Sequence, residues 1–408
     1  MRRPAAGGEE SRTRPLDGVR VLDLSRVIAG PLCTMQLADL GAEVIKVEHP
    51  VHGDDSRAMK PPDAGGEAHF FLAFNRGKKS VALDLAHPAG REVLDRLAAR
   101  SDVLVENFRP GVTRRLGLDW ESLRVRHPHL VYCTISAYGT TGPRADRPGL
   151  DPVLQAEAGM MALNGEPDGD PLRHPLAIVD TVAGLYAATA ILAALVHRRQ
   201  TGRGQRVELA LFDCALAMLG NVGQYYLTSG RDPERLGNAH PAAVPVGLFR
   251  TATGPLYLAC GTDRLFRRLC GALDRPDLAE DPRFATNTSR VVHRAALFAE
   301  LARIFAGAPL EHWLARLEAA GVPAGPVRAV SAALESEEVR ARGLVATAPH
   351  PTAGAIRLVV SPLRFSETPV APPVAPPLLG QHTDDVLREV AGLDEPALAA
   401  LRAAGVIR

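Results

Sequence analysis

Lysine is scarce in this chain. Only Lys46, Lys60, Lys78 and Lys79 stand among 47 basic residues, so nearly all positive charge is arginine and a pair such as Arg114-Arg115 carries little information by itself. Charge of one sign is also lacking, because 46 acidic residues leave a formal net charge of +1. That balance supplies no long-range field for a nucleic-acid backbone or an anionic membrane surface, so neither is expected as a partner. Any anionic ligand must be met by local positive charge. Five cysteines (Cys33, Cys133, Cys214, Cys260 and Cys270) without a C-x-x-C spacing describe neither a disulfide framework nor a zinc site, and fit a reducing cytoplasm. The longest uncharged apolar run, residues 182–196, is shorter than the ~20 residues that span a bilayer, which predicts a buried helix. Residues 1–14 mix arginine with Glu9 and Glu10 and lack an apolar stretch, so they read as a flexible terminus rather than a secretory or transit signal.

What is present is a globular composition, 408 residues with 46% hydrophobic and 23% charged, enough for two to three domains. Residues 19–24 read as a buried strand, 25–30 as a loop, 31–40 as a helix opened by Pro31 and 43–48 as a second strand. Further strands at 81–85, 102–106 and 130–136, separated by helical stretches such as 88–100, predict a parallel sheet covered by helices. From Leu248 a strand pair around Gly254 precedes helices at 265–273, 290–306 and 310–320, a smaller α+β domain. Residues 368–379 hold five prolines and read as an extended strap, followed by a helix at 383–390.

The opening βαβ unit ends in Glu48, which invites a dinucleotide-binding reading. Its turn, Ser25-Arg-Val-Ile-Ala-Gly30-Pro31, has one glycine where a pyrophosphate site wants three, so the unit reads as a Rossmann-like scaffold instead. The thirteen histidines show no H-E-x-x-H spacing and none accompanies a G-x-S-x-G serine, so metal hydrolysis and triad chemistry have no local signature. Asp180 stands directly before the long apolar helix. On pattern alone it is an N-cap, and the same helix end favours the ionised carboxylate that nucleophilic attack requires. Asn107, Arg109, Arg114 and Arg115 follow the strand at 102–106, where α/β sheets place their ligand crevice, and suggest an anion site.

Several stretches together resemble the family III CoA-transferases (the CaiB/BaiF group), which include formyl-CoA and carnitine CoA-transferases and the α-methylacyl-CoA racemases. They are Leu16-Asp-Gly-Val-Arg-Val-Leu-Asp-Leu24, Ala29-Gly-Pro31, Leu40-Gly-Ala-Glu-Val-Ile-Lys-Val-Glu48, Asn75-Arg-Gly-Lys-Lys-Ser-Val-Ala-Leu-Asp-Leu85, Val105-Glu-Asn-Phe-Arg-Pro-Gly111, Thr201-Gly-Arg-Gly-Gln205, Ala320-Gly-Val-Pro-Ala-Gly-Pro-Val327 and Leu379-Gly-Gln-His-Thr-Asp-Asp-Val-Leu387. The resemblance implies a discontinuous Rossmann-like CoA-binding domain (15–222 and 340–408), a small inserted domain (228–335), and a homodimer whose subunits are threaded through each other. It implies that Asp180 is the catalytic aspartate and that CoA is held by Val27, Ile28, Ala29, His49, Leu83, Asn107 and Arg115. Family members often carry Arg where this chain has His49. No metal and no permanently bound cofactor is implied, since coenzyme A enters as substrate.

The implied reaction moves CoA from an acyl-CoA donor to a free carboxylic acid through aspartyl anhydride and aspartyl-CoA thioester intermediates. The alternative is a 2-methylacyl-CoA racemase or epimerase. Racemase members carry a His in a Gly-His-Asp triplet that here reads Gly149-Leu150-Asp151, and a one-base site cannot exchange an α-proton from both faces. Asp151 itself is open between a turn residue and an acid beside the nucleophile. The stretch 240–247 lacks the glycine run with which some transferases cover the nucleophile.

Overall fold

The computed structural model describes residues 13–408, so the terminus expected to be flexible, residues 1–14, lies almost wholly outside the described residues. The chain divides into two compact units. The first contains the chain up to Ala158, His174–Gln224 and Arg340–Arg408, and the second contains Gly159–Arg173 and Tyr225–Val339. Residues 159–173, assigned from sequence to the larger domain, therefore belong to the second unit, where the Gly237 N–H donates to the Gly165 carbonyl.

In the first unit, strands β1 (Arg20–Asp23), β2 (Glu43–Glu48), β3 (Lys78–Ala82), β4 (Val103–Glu106), β5 (Val131–Ser136) and β6 (Arg206–Ala210) form one parallel sheet in the order β3-β2-β1-β4-β5-β6. The central strands are apolar on both faces, as a sheet covered on both sides requires. Helix α1 (Ala29–Asp39) follows β1, α2 (Pro88–Ala99) joins β3 to β4, and the short α3 (Asp151–Glu157) precedes the long α4 (Ile178–Thr201). The strand order reverses between β1 and β4, the place where open α/β sheets hold ligands beyond the carboxyl ends of their strands.

Strand β6 escaped the sequence reading because its pattern, exposed and half-buried residues in alternation, lacks the continuous apolar run of the inner strands. Helix α4 departs from expectation in both length and burial. It runs 24 residues, long and apolar enough to cross a membrane by length and composition, and it is buried on one face only. Ala183, Gly184, Ala187, Ile191 and Leu195 pack inward, whereas Leu185, Tyr186 and Val196 are exposed.

Strand β3 would otherwise be a bare sheet edge. The C-terminal segment covers it: the His382 N–H donates to the Ser80 carbonyl, His382 Nδ1 accepts from the Ser80 N–H, and Thr383 Oγ1 accepts from the Ala82 N–H. Helices α9 (Thr383–Glu389) and α10 (Glu395–Ala403) then add Leu387 and Leu398 to the sheet's apolar core beside Leu22, Ile45, Val81 and Leu104. Edge protection and burial together explain why the chain ends on the domain in which it begins. The proline strap before it is tied to the same unit, with the Gly77 N–H donating to the Val374 carbonyl.

The second unit has a three-stranded antiparallel sheet, β7 (Val246–Arg250), β8 (Pro255–Ala259) and β9 (Ala324–Pro326), with Gly254 in the β7–β8 turn. Helices α6 (Asp263–Ala272), α7 (Arg294–Phe305) and α8 (Leu310–Ala319) enclose a core containing Phe249, Leu258, Phe266, Phe305 and Trp313. In the first unit a further helix, α5 (Leu211–Met218), follows β6.

Candidate active site

The loop after β1 is shaped by what lies beneath it. Gly30 is needed because a Cβ there would stand 2.2 Å from the Ser25 Cβ, so the chain can double back on itself. Val27 takes a left-handed conformation (φ 70°), a costly one for a β-branched residue, and three side chains hold it there. Lys46 Nζ donates to the Ser25 carbonyl (2.8 Å) and pairs with Asp54 (2.8 Å), Asp54 Oδ1 accepts from the Val27 N–H (3.1 Å), and Asn107 brackets the intervening residue. Asn107 Oδ1 accepts from the Arg26 N–H and its Nδ2 donates to the Arg26 carbonyl, both at 2.9 Å. These two bonds cross the point between β1 and β4 where the strand order reverses.

Under the loop the charges are wholly enclosed. Lys78 Nζ meets Asp23 Oδ2 at 3.0 Å, the Asn75 side chain at 2.9 Å and the Pro31 carbonyl at 2.9 Å. Burial alone would push the Asp23 carboxyl up, but Lys78 and Lys46 outweigh it and hold it low. Burial opposes ionisation of Asp54 in the same way, and Lys46 holds it well below the carboxylate range. Burial brings the Lys78 ammonium down to about 8. Two of the four lysines are thus spent on fixing one loop, where a compact ammonium fits among converging carbonyl and carboxylate oxygens.

Asp180 stands in the first turn of α4, the helix that closes on the start of α1. Gly184, one turn further along α4 on the same face, lets α4 close on the start of α1: a Cβ there would lie 2.7 Å from the Ala29 carbonyl oxygen and 3.2 Å from the Leu32 Cβ. Asp180 is not the N-cap expected from the sequence. Helix α4 begins two residues earlier, at Ile178, and its first turn is capped from outside by Asp151, the first residue of α3. Asp151 is buried, and its Oδ2 accepts from the Val179 N–H (2.7 Å) and the Asp180 N–H (3.1 Å), while Oδ1 accepts from Gln155 Nε2 (2.6 Å). Gln155 Oε1 accepts from the His174 N–H, so one side chain also fastens the approach to α4. Burial, and after it the charge of Asp151, raise the Asp180 carboxyl to about 7.

The remaining sequence-derived residues are placed unevenly. Ile28 is buried at the α1 start, where no side chain caps the helix. His49 follows β2 directly, exposed, its Nδ1 accepting from the Val51 and His52 N–H groups and its ring stacked on His52. Leu83 follows β3 at the same sheet end, but its side chain is in the core and its N–H donates to the Glu48 carbonyl. Arg115 is exposed on the short helix Val112–Leu116. Next to it a cavity of about 460 Å3 is lined by Arg109, Arg114 and Arg206 and equally by Glu106, Asp119, Glu121 and Asp146, so its arginines are matched by carboxylates and form no positive patch. Asp54, Gln155 and Gly184 gave no signal in the sequence: Asp54 reaches Val27, Gln155 reaches His174 and Gly184 meets Ala29, none of them a near neighbour in the chain. Among the described residues no group of three or more His, Cys, Asp or Glu side chains is placed to hold a metal ion.

A family model for CoA-transferase family III matches residues 16–383. The chain is 41% identical over 394 residues to a succinyl-CoA:glutarate CoA-transferase of Mus musculus, covering 97% of this chain and 90% of that protein. It is 42% identical over 398 residues to a succinate–glutarate CoA-transferase of Agrobacterium fabrum, covering 95% and 98%. A crystal structure of a CaiB/BaiF family protein from Brucella suis, 41% identical, superposes with a TM-score of 0.85 over 93% of this chain and all of that one.

Proposed function

The chain belongs to CoA-transferase family III, and from that premise we propose that it moves CoA from a succinyl-CoA-type donor to a free dicarboxylic acid, with Asp180 as nucleophile. The observation that supports this reading is that α4 closes on the α1 start through Gly184, one turn after Asp180, whose N–H is held by the buried Asp151. The substrate class is supported by the relatives, named for succinyl-CoA with glutarate, D-citramalate, L-malate or mesaconate.

Asp180 attacks the donor thioester carbonyl and expels CoA thiolate, leaving a mixed anhydride. The thiolate attacks the aspartyl carbonyl and releases the donor acid, which leaves an aspartyl-CoA thioester. The incoming carboxylate attacks that thioester to form a second anhydride, and the returning thiolate attacks the substrate side of it, freeing Asp180. Each step exchanges one activated acyl bond for another, so no ATP is consumed. An aspartate raised to about 7 by burial and Asp151 is half ionised at neutral pH and more nucleophilic than an ordinary carboxylate once ionised. In this reading the first turn of α1, which no side chain caps, supplies N–H groups to the tetrahedral oxyanions.

In this reading Val27, Ile28, Ala29, His49 and Arg115 contact CoA, Asn107 serves by holding the turn, and Leu83 offers little beyond its place in the wall. A second copy covers the exposed Leu185, Tyr186 and Val196 face of α4, in the interlocked dimer that the family resemblance implies. The five unpaired, buried thiols suit a reducing cytoplasm. Racemase activity is not favoured, because the residue before Asp151 is Leu150, exposed and without a proton to exchange. The test is incubation with succinyl-CoA and hydroxylamine: a hydroxamate on the Asp180 peptide and loss of exchange in Asp180→Ala support the mechanism, and full exchange in Asp180→Ala refutes it.

A further inference from the structure

Glu48 closes β2, the position at which dinucleotide-binding folds carry the acid that holds a ribose, yet its carboxylate is engaged elsewhere. The side chain is 1% exposed, and protein donors surround it. Oε2 accepts from the Asp54 N–H (3.0 Å) and Arg57 Nε (2.7 Å), and Oε1 accepts from Arg57 Nη2 (2.8 Å) and Ser80 Oγ (2.6 Å). An ionised carboxylate offers about four acceptor sites, so none remains for a ligand hydroxyl. The turn from His49 to Asp54 wraps round this carboxylate, with the Gly53 N–H donating to the His49 carbonyl. Gly53 (φ 65°) leaves the room: a Cβ there would lie 2.8 Å from Arg57 Cδ and 3.1 Å from Glu48 Oε2.

The residue fixed by this arrangement is Asp54. Glu48 holds its backbone, while Lys46 (2.8 Å) and the Ser56 N–H and Oγ (2.9 and 2.7 Å) hold its carboxylate. Oδ1 is thereby set to accept from the N–H of Val27, the β-branched residue in a left-handed conformation, and such a conformation persists only where its surroundings over-determine it. Arg57 anchors Glu48 from the other side, pairing also with Glu67 (2.8 Å), lying over the Phe71 ring (3.5 Å to its centroid) and donating to the Pro377 carbonyl (3.1 Å). All of these residues belong to the first unit. We propose that Glu48 is a positioning residue for CoA binding: acting through Asp54, it keeps the Val27 turn in the left-handed conformation that CoA meets. This rests on the reading given above that the Val27 turn contacts CoA.

The test compares wild type with Glu48→Ala, Glu48→Gln, Val27→Gly, the double variant Val27→Gly/Glu48→Ala, and Leu398→Ala, which opens a cavity in the core of the same unit outside this network. CoA affinity is measured by calorimetry, KM for succinyl-CoA and for glutarate by steady-state rates, and deuterium uptake of the segment 24–30 by mass spectrometry. In Glu48→Ala, CoA affinity falls about tenfold or more, KM for succinyl-CoA rises with it, and KM for glutarate moves less than about twofold. Segment 24–30 takes up deuterium faster in the same variant, because the Val27 N–H has lost its fixed acceptor. Glu48→Gln, whose amide oxygen still accepts from the Asp54 N–H, stays within about threefold of wild type. Glycine takes a positive φ freely, so in the Val27→Gly background loss of Glu48 weakens CoA binding by less than about threefold. Leu398→Ala melts lower than wild type but keeps its CoA affinity and its uptake at 24–30.

Unchanged CoA affinity in Glu48→Ala overturns the proposal, as do an equal rise in both KM values, an equal loss of CoA affinity in Leu398→Ala, or penalties that simply add in the double variant. If Glu48→Ala does not fold, Glu48→Asp is held to the same outcomes, since it keeps the charge beside Arg57 but falls one carbon short of the Asp54 N–H. Faster uptake at 24–30 with unchanged CoA affinity overturns the proposal by removing the CoA contact at Val27. Lowered affinity with unchanged uptake keeps that contact and overturns the positioning role. If wild type transfers CoA to no acid yet Glu48→Ala shows both the weaker CoA binding and the faster uptake, the transferase reading fails while the positioning role stands.

Discussion

Asp151→Asn separates the electrostatic role of Asp151 from its structural one. The Asp151 Oδ2 atom lies 3.1 Å from the Asp180 nitrogen, which sets the two carboxyl charges about 6 Å apart by ordinary bond lengths. At an effective dielectric constant of about 20 that repulsion is roughly 2.8 kcal/mol, or about two pH units. Asp180 rises from 3.8 to about 7 with burial as the larger cause, so the share of Asp151 is below half of that rise, and a shift of about one unit is the figure to expect. Removing the charge lowers the Asp180 pKa, so the acid limb of the kcat/KM profile moves to lower pH. At pH 6 the variant then retains about fivefold more of its own plateau activity than wild type does.

The amide oxygen of asparagine still caps the Val179 and Asp180 N–H groups. Its NH2 turns toward Gln155 Nε2, a donor facing a donor, which costs about 1–3 kcal/mol unless Gln155 rotates. Plateau activity and stability therefore fall for structural reasons, but the position of the inflection reports the charge alone. An inflection that stays in place, or moves to higher pH, refutes the coupling.

Asp180→Asn is expected to stabilise the protein at pH 8 by about 2 kcal/mol in urea unfolding, discounted because the site is partly exposed. The folded pKa lies above the unfolded one, so wild type loses stability as pH rises from about 4 to 7, and the two proteins converge near pH 4. Gly184→Ala gains about 1 kcal/mol of helix propensity but drives a methyl against the Ala29 carbonyl, so net destabilisation of about 1–3 kcal/mol and a fall in kcat are expected, read by calorimetry and steady-state rates. His382 is held below its ordinary pKa by burial and by Lys79, and its Nδ1 accepts from the Ser80 N–H. Stability from this contact is complete above about pH 6.5 and lost as pH falls through the lowered folded pKa. His382→Gln should flatten the pH 7 to 5 stability curve, and Ser80 amide exchange should accelerate in the same window in wild type alone.

Where a residue acts through its own stretch of chain, it was legible in advance. The buried strands β1, β2, β4 and β5 announced themselves as apolar runs between turn signals, and the Gly254 turn announced β7 and β8. Strand β9 was hidden in Ala324-Gly-Pro326, whose composition reads as loop and which becomes a strand only by pairing with β8. Asp180 was visible as an acid before an apolar helix, but its place in the first turn was misread as the cap. The true cap, Asp151, arrives from the start of α3, 28 and 29 residues before the two N–H groups it accepts from.

The sequence by itself determined the family, the order of motifs and the Rossmann-like layer, because these depend on local pattern and on residues read in register along the chain. The tertiary structure alone decided that Lys46, Asp54 and Asn107 hold the left-handed turn at Val27, that Asp151 caps the helix of Asp180, and that Gly184 lets α4 reach the Ala29 carbonyl. Those facts arise where distant segments meet. Burial and charge pairing depend on what surrounds a residue in space, and the spacing of residues along a chain does not encode that directly.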